Sequence, residues 1–564
     1  MKQCVLALAL TLAFLWAPAS ASAPGVDYTV TLEVGPNGAR ALMVEMRFAG
    51  DADGETTVTL PQAIADQDDL WRGIEDVAAV GATIDPPAQP QTRVLHHRPN
   101  AAITLSYRVV QTFDGAVSFD KPLLRPIFQA TWFAVEGEGL FARVEGRAGA
   151  LTRFHWGAIP AGWRALSDAE QTPGARGAPF EGLRESILIG GRDVRITQSQ
   201  AAGGRLRVAS LGAPGFDVAR FLSVFQRAAA AGAHMWGDHG RDYLVAVIPI
   251  PAPPEVAGQL GWSRRDGFAL YVTPTVDEPT LVHVITHEYM HSWFPDAFGH
   301  VAPEAFGAEA WFGEGFTDYY ADRALLASGV WSLEDFAARY QTVIRDYWSS
   351  PAHAATGAQL ALGFFRDRDL ERMSYLRGAL MAWSFDQRVR DATHGRQTLR
   401  EVLLSAMSAQ DGATPVARLR AAARRIGVDI APDLEALASG ADIDLPWSVF
   451  AGCIDLRTSR AASYERGFPP VSLVEPVGEV DPHGPAYAAG LRAGMIMVAR
   501  EAGEPGDSRV EQVWRVRDRG GERLIHFFPR GQAMVTMRDV AVTRDLSPAR
   551  RAACVREIVD SGGR

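Results

Sequence analysis

The chain has 564 residues with 47% hydrophobic and 22% charged side chains, enough for more than one globular domain with an ample core. A formal net charge of −10, with no basic cluster interleaved with aromatics, argues against a nucleic-acid partner. Lysine occurs only at Lys2 and Lys121, so arginine carries nearly all the positive charge, a pattern that reads as coding bias before function.

Lys2, the apolar run from Val5 to Trp16 and the small-x-small pattern Ala19-Ser20-Ala21 predict a signal peptide over 1–21 and export to the periplasm or beyond. That run is too short to cross a bilayer of about 30 Å, and no later stretch approaches about 20 uninterrupted apolar residues, so the mature chain is expected to carry no transmembrane segment. From 22 to 211 the pattern is mostly of strands. Tyr28–Val34, Ala41–Phe48, Thr56–Leu60 and Ala102–Val110 are short, partly alternating and β-branched, and Gly35-Pro36-Asn37-Gly38 and Asp51-Ala52-Asp53-Gly54 supply turns between them. An N-terminal antiparallel β-sandwich of one or two sheets is expected, acting as a scaffold that could wall one side of a cleft.

The period changes in the next segment, taken as one domain over 212–445. Phe216 to Trp236 reads as a helix, Tyr243–Pro249 and Gly267–Val272 as strands, and the chain after Tyr320 as predominantly helical through Leu437. Within this domain stands His287-Glu288-Tyr289-Met290-His291. Residues four apart share a helix face, so His287 and His291 can turn both imidazoles to one ion with Glu288 beside them. A hydrolytic zinc takes three protein ligands and leaves a fourth position to water. Phe294 and Ala297 stand where a metzincin needs Gly and His, so the third ligand is expected to be acidic, with Glu304, Glu309 and Glu314 in range. Glu314 is preferred because Trp311-Phe312 and Phe316 around it would bury one helical face against the first helix. Asp318, one turn on, could accept the second N–H of a ligating imidazole and fix its tautomer. His283 reads as packing or support, not as a ligand. Zinc lowers the pKa of its water from about 15.7 towards 7, and Glu288 is then placed as the base that takes the proton and returns it to the leaving amine.

His287-Glu288-Tyr289-Met290-His291-Ser292-Trp293 together with Trp311-Phe312-Gly313-Glu314-Gly315-Phe316-Thr317-Asp318-Tyr319-Tyr320 resembles the glycyl aminopeptidase family of gluzincin metallopeptidases, more distantly similar to aminopeptidase N. The 22 residues between His291 and Glu314 (314 − 291 − 1) are in keeping with that branch. The resemblance implies a small sheet beneath the active-site helix, a mostly helical catalytic domain, a Zn²⁺ cofactor and an aminopeptidase acting on peptides. It also implies that Tyr375, in Tyr375-Leu376-Arg377-Gly378, supports the oxyanion. In this family a Gly-rich edge strand ahead of the zinc helix carries a Glu that anchors the substrate amine. The corresponding Gly261-Trp262-Ser263-Arg264-Arg265-Asp266-Gly267 has Arg where the acid is expected, which leaves Asp266 as a substitute anchor, or Arg264 and Arg265 as selectors of an acidic group in an endopeptidase.

The segment 446–564 contains Gly484-Pro485-Ala486-Tyr487-Ala488-Ala489-Gly490-Leu491-Arg492-Ala493-Gly494-Met495, which resembles the helix and turn of a PDZ domain. That fold captures a peptide C-terminus by strand addition, but Met495 replaces the usual Asp and Gly467-Phe468 is a weak carboxylate loop. Cys453 and Cys554 bracket this segment and either form a bridge in an oxidising compartment or remain two buried thiols. A non-catalytic exported peptide-binding protein is the alternative from another class, and the intact set His287, Glu288, His291 and Glu314 argues against it.

Overall fold

The computed structural model describes residues 25–559 apart from 66, 148–149, 171–176, 202, 213, 239, 254–257, 295–305, 410–412, 444, 446–451, 470 and 472–475. The expected signal peptide and Glu304 lie outside the described residues. The architecture is mixed α/β and multidomain, with several sheets and, among the described residues, twelve α-helices.

The first segment is built from three sheets. The largest has six strands in the order Ala178–Pro179, Leu151–Trp156, Val26–Gly35, Gly38–Ala49, Ala102–Val110, Ile74–Val80. Alternation explains it: Tyr28, Val30 and Leu32 on one strand and Leu42, Val44 and Met46 on the next point into a shared core. Gly38, at φ +112°, makes the hairpin turn between those two strands. The pairing is antiparallel except where Val26–Gly35 meets Leu151–Trp156, a parallel neighbour that arrives by a long connection instead of a hairpin. This departs from the purely antiparallel sandwich expected from sequence.

Five strands form the next sheet, in the order Val194–Ala201, Gly204–Leu211, Tyr243–Pro249, Gly267–Val272, Gln259–Arg264. The three inner strands are parallel, and Tyr243–Pro249 and Gly267–Val272 are nearly all apolar, as strands covered on both faces must be. Val245, Val247, Phe268 and Leu270 pack against the helices Val218–Trp236 and Glu278–Met290. Ala246, Ile248, Ala269 and Tyr271, on the opposite face, meet Ile187 and Ile189 of the N-terminal segment. The sheet thus takes strands from both sides of the boundary expected at 211. Polar residues interrupt Val194–Ala201 and Gly204–Leu211, and only the pairing of Gly204–Leu211 with Tyr243–Pro249 reveals which sheet they join.

Helices Phe306–Ala327 and Arg368–Thr393 cross at two glycines. A Cβ on Gly315 would overlap the Cα of Gly378, and one on Gly378 would overlap the carbonyl oxygen of Trp311. This close approach brings Tyr375, one turn before Gly378, towards Glu314. Gly378→Ala is therefore expected to cost about 1–3 kcal/mol of stability, because backbone and not a mobile side chain occupies the space. A denaturation midpoint checks this.

Cys453 and Cys554 form a disulfide with Cα atoms 5.5 Å apart. Both join the core of the helical segment, as do Ile454 and Ile558. Strand Ile454–Tyr464 pairs with Arg530–Val542, and this ribbon and helix Pro548–Val559 lie on the helical body. Between the ribbon strands a smaller unit has its own core of Phe468, Val477, Leu491, Met497, Trp514, Val516, Ile525 and Phe527. Its three-stranded sheet runs Ile496–Ala502, Gln512–Asp518, Gly521–Phe527.

Candidate metal centre

Helix Glu278–Met290 begins at Asp277, whose side chain accepts from the Thr280 N–H, with Pro279 in the first turn. Leu281, Ile285 and Tyr289 bury its inner face. This leaves His287 and His291 on the face turned to helix Phe306–Ala327, with ring centroids 4.8 Å apart. His291 caps the helix but keeps right-handed helical dihedrals, so the four-residue register holds.

Glu314 meets both imidazoles: its Oε2 is 3.2 Å from His287 Nε2 and 3.5 Å from His291 Nε2. One donor atom from each of the three lies within 4.8 Å of the other two. The remaining ring nitrogens are already engaged. His287 Nδ1 is 2.8 Å from Asp318 Oδ1, and His291 Nδ1 is 2.6 Å from the Phe294 carbonyl. With each Nδ1–H donated outward, each ring can present Nε2 to an ion that takes the place of its Nε2 proton. Two imidazole nitrogens and a carboxylate oxygen, on His287 and Glu314 buried and on His291 partly buried, are the donor set that fits a catalytic zinc. Glu309, five residues upstream, lies outside this convergence.

Burial alone would lower the His287 imidazole, but the Asp318 and Glu314 carboxylates outweigh it and hold it well above its ordinary value. Glu314 runs against burial in the same way: the His291 and His287 imidazoles draw its carboxyl far below the usual range. Asp318 is drawn down too, despite burial, by Arg339 first and then His283 and His287. Arg339 Nη2 lies 2.9 Å from Asp318 Oδ2, and His283 Nε2 is 3.4 Å from Asp318 Oδ1 and 3.2 Å from Asp322 Oδ1. His283 therefore supports the acids behind His287. Arg339 and Asp322 escaped the sequence reading: Asp322 follows Asp318 by four residues, a usable signal, whereas Arg339 comes from a later helix.

Glu288 faces the edge strand Gln259–Arg264. Its Oε2 accepts from Ser263 Oγ at 2.7 Å, and a Cβ on Gly261 would collide with its carboxylate. Strand alternation decides which residues meet the site. Gly261 and Ser263 point to the helix; Trp262 and Arg264 point to the N-terminal segment. The expectation that Arg264 selects substrate does not survive this placement. Its buried guanidinium is 2.6 Å from Glu138 Oε2 and 3.5 Å from Glu136 Oε2, and Glu136, buried beside a second acid, is pushed up to about 8. Asp266, the other proposed anchor, is held by Arg241 at 2.9 Å, and Arg265 is exposed in the hairpin turn. Ser263→Ala is expected to lower kcat about 10-fold, since it frees the carboxylate that Ser263 orients, while bound metal stays constant; kinetics paired with metal analysis read this.

Tyr375 lies with its ring 5.8 Å from that of His287. Burial, then the Glu314 and Glu288 carboxylates, push its phenol well above the ordinary value, which keeps it protonated. The helix crossing at Gly315 and Gly378 thus delivers the residue that the resemblance singled out.

Residues 280–361 match the M61 glycyl aminopeptidase family. No curated protein matches the chain. Among solved structures, an aminopeptidase N family protein from Idiomarina loihiensis has a TM-score of 0.70 at 16% identity, covering 94% of this chain and 100% of its own. An M1 zinc metallopeptidase variant from Deinococcus radiodurans, bound to a Tyr-Ser-Ala substrate, has a TM-score of 0.49 at 16% identity, over 75% of this chain and 95% of that one. The first of these shares its fold with this chain over nearly the whole length.

Proposed function

We propose that this peptidase, which carries the catalytic segment of the M61 glycyl aminopeptidase family, is an exported zinc enzyme that removes residues from the amino end of peptides. The observation that carries the reading is the convergence of His287, His291 and Glu314, both Nδ1 atoms engaged, with Glu288 alongside. A zinc ion held by those three residues supplies a Lewis acid and a water of pKa near 7. Glu288, oriented by Ser263, receives the water's proton and passes it to the departing amine. Tyr375, protonated and facing the cluster, donates to the carbonyl oxygen as charge gathers on it. Asp318, backed by Arg339, keeps His287 in the ligating tautomer. The peptide lies along the outer edge of strand Gln259–Arg264, the last strand of its sheet among the described residues.

A second reading, endopeptidase cleavage, is favoured by one observation. The edge strand offers Ser263 and no acid to the site, and the nearby acids Glu136, Glu138 and Asp266 each face an arginine. Peptides with free and acetylated N-termini, offered with zinc to the purified mature protein with Glu288→Gln as blank, separate the two. Cleavage confined to free amines supports the aminopeptidase, and indifference to acetylation supports the endopeptidase. The absence of both hydrolysis and bound metal would leave only the non-catalytic, peptide-binding alternative.

Export to the periplasm or beyond rests on the leader over 1–21, and the Cys453–Cys554 disulfide suits an oxidising compartment. The small C-terminal unit, with helix Pro485–Ala488 and a separate core, is read as a PDZ-like module. Its ligand in that reading is a peptide C-terminus.

A further inference from the structure

Strand Gln259–Arg264 carries Gly261 and Ser263 to Glu288, yet it is the last strand of its sheet among the described residues, so ladder hydrogen bonds hold it from one side only. The hairpin it forms with Gly267–Val272 takes further support from the N-terminal segment. Arg264 Nη1 is 2.6 Å from Glu138 Oε2, and its Nε is 3.5 Å from Glu136 Oε2. Tyr271, on the partner strand, donates to Glu136 Oε1 at 2.9 Å. The Arg265 N–H donates to the Glu185 carbonyl at 3.3 Å.

One of these contacts leads on to the base. Arg264 Nε donates to the Ser263 carbonyl at 2.8 Å, and Ser263 Oγ lies 2.7 Å from Glu288 Oε2. The backbone at Ser263 is thus tied, through one planar guanidinium, to a carboxylate of the N-terminal segment. Arg184 Nη1, 3.3 Å from the other oxygen of Glu138, holds that carboxylate in turn.

The side chains of Arg264 and Glu136 are only 4% and 0% exposed. Desolvation offsets much of the attraction within such a buried pair, so apolar residues of similar volume would fasten the two segments about as well. What the ionic group adds is direction, because a guanidinium presents its donors in a fixed plane. We propose that Arg264 is a positioning residue for the reaction: anchored on Glu138 and Glu136, it sets the backbone at Ser263 so that the Ser263 hydroxyl meets the Glu288 carboxylate. The proposal rests on the peptidase reading above, and it gives the N-terminal segment a part in catalysis, exerted through Arg264 and Ser263.

Arg264→Lys separates fastening from direction, since an ammonium keeps a charge for Glu138 and Glu136 but has no second donor along its stem for the Ser263 carbonyl. With the free and acetylated peptides as substrates, kcat is expected to fall about 10-fold, with KM within about 2-fold and bound metal unchanged. The deciding arm is the same substitution in Ser263→Ala, where the hydroxyl through which Arg264 acts is gone; there kcat should change less than about 2-fold. Amide hydrogen exchange over 259–264, read on zinc-free protein, should quicken about 5-fold or more in Arg264→Lys and not in Ser263→Ala. If Arg264→Lys does not fold, Glu138→Gln replaces it: it removes the charge at the anchor, keeps an acceptor, and should show the same dependence on Ser263. Full kcat in the folded variant, unchanged exchange, or a loss that adds in full to that of Ser263→Ala overturns the positioning role. A failed peptidase reading looks different: the zinc-supplied wild type then cleaves none of the peptides, and the exchange rates alone decide whether Arg264 fixes the strand.

Discussion

Glu288→Gln is expected to lower kcat by about 10²- to 10⁴-fold, the range that a positioned general base contributes, with metal content unchanged. Two features make this a clean substitution. The donors that converge are those of His287, His291 and Glu314, so Glu288 is not needed to hold an ion there. Glutamine also keeps a carbonyl oxygen to accept from Ser263 Oγ, which in the native protein lies 2.7 Å from Glu288 Oε2. The change therefore removes basicity and leaves shape. Steady-state kinetics with elemental analysis of the same sample check it. An active variant with full metal would assign the base elsewhere, and loss of metal would mean that Glu288 supports the ligands.

This assignment was legible because it is local. Four-residue spacing places His287 and His291 on one helix face, and the aromatic run about Glu314 predicts a second buried helix, so three candidate ligands could be named from one short stretch. Tyr243–Pro249 and Gly267–Val272 were equally plain, since inner parallel strands read as continuous apolar runs. What stayed hidden depends on pairing across distance. Ser263 was passed over for Arg264 because facing is decided by register with Gly267–Val272, and a shift of one residue exchanges the two faces. Arg339 reaches Asp318 from 21 residues away, and Glu136, at the end of a strand in another sheet, and Glu138, in the turn after it, reach Arg264. Periodicity along one element carries no record of such partners.

Glu314→Ala should abolish stable metal binding. Removing a supporting partner of a metal ligand typically costs about 10- to 100-fold in affinity, so deleting a ligand itself should cost more than about 100-fold. A thermal readout makes the loss visible without any substrate. An ion that binds only the folded state adds about 2.7 kcal/mol of stability when present at 100 times its Kd, so zinc should raise the midpoint of the wild type. In Glu314→Ala that rise should disappear. Glu309→Ala is the control, because Glu309 was the other described acid in range and lies outside the convergence. Its zinc-dependent rise should match the wild type. If Glu309→Ala lost the rise and Glu314→Ala kept it, the third ligand would move to the first turn of helix Phe306–Ala327. The carboxylate now 3.2 Å from His287 and 3.5 Å from His291 would then be only their ion-pair partner.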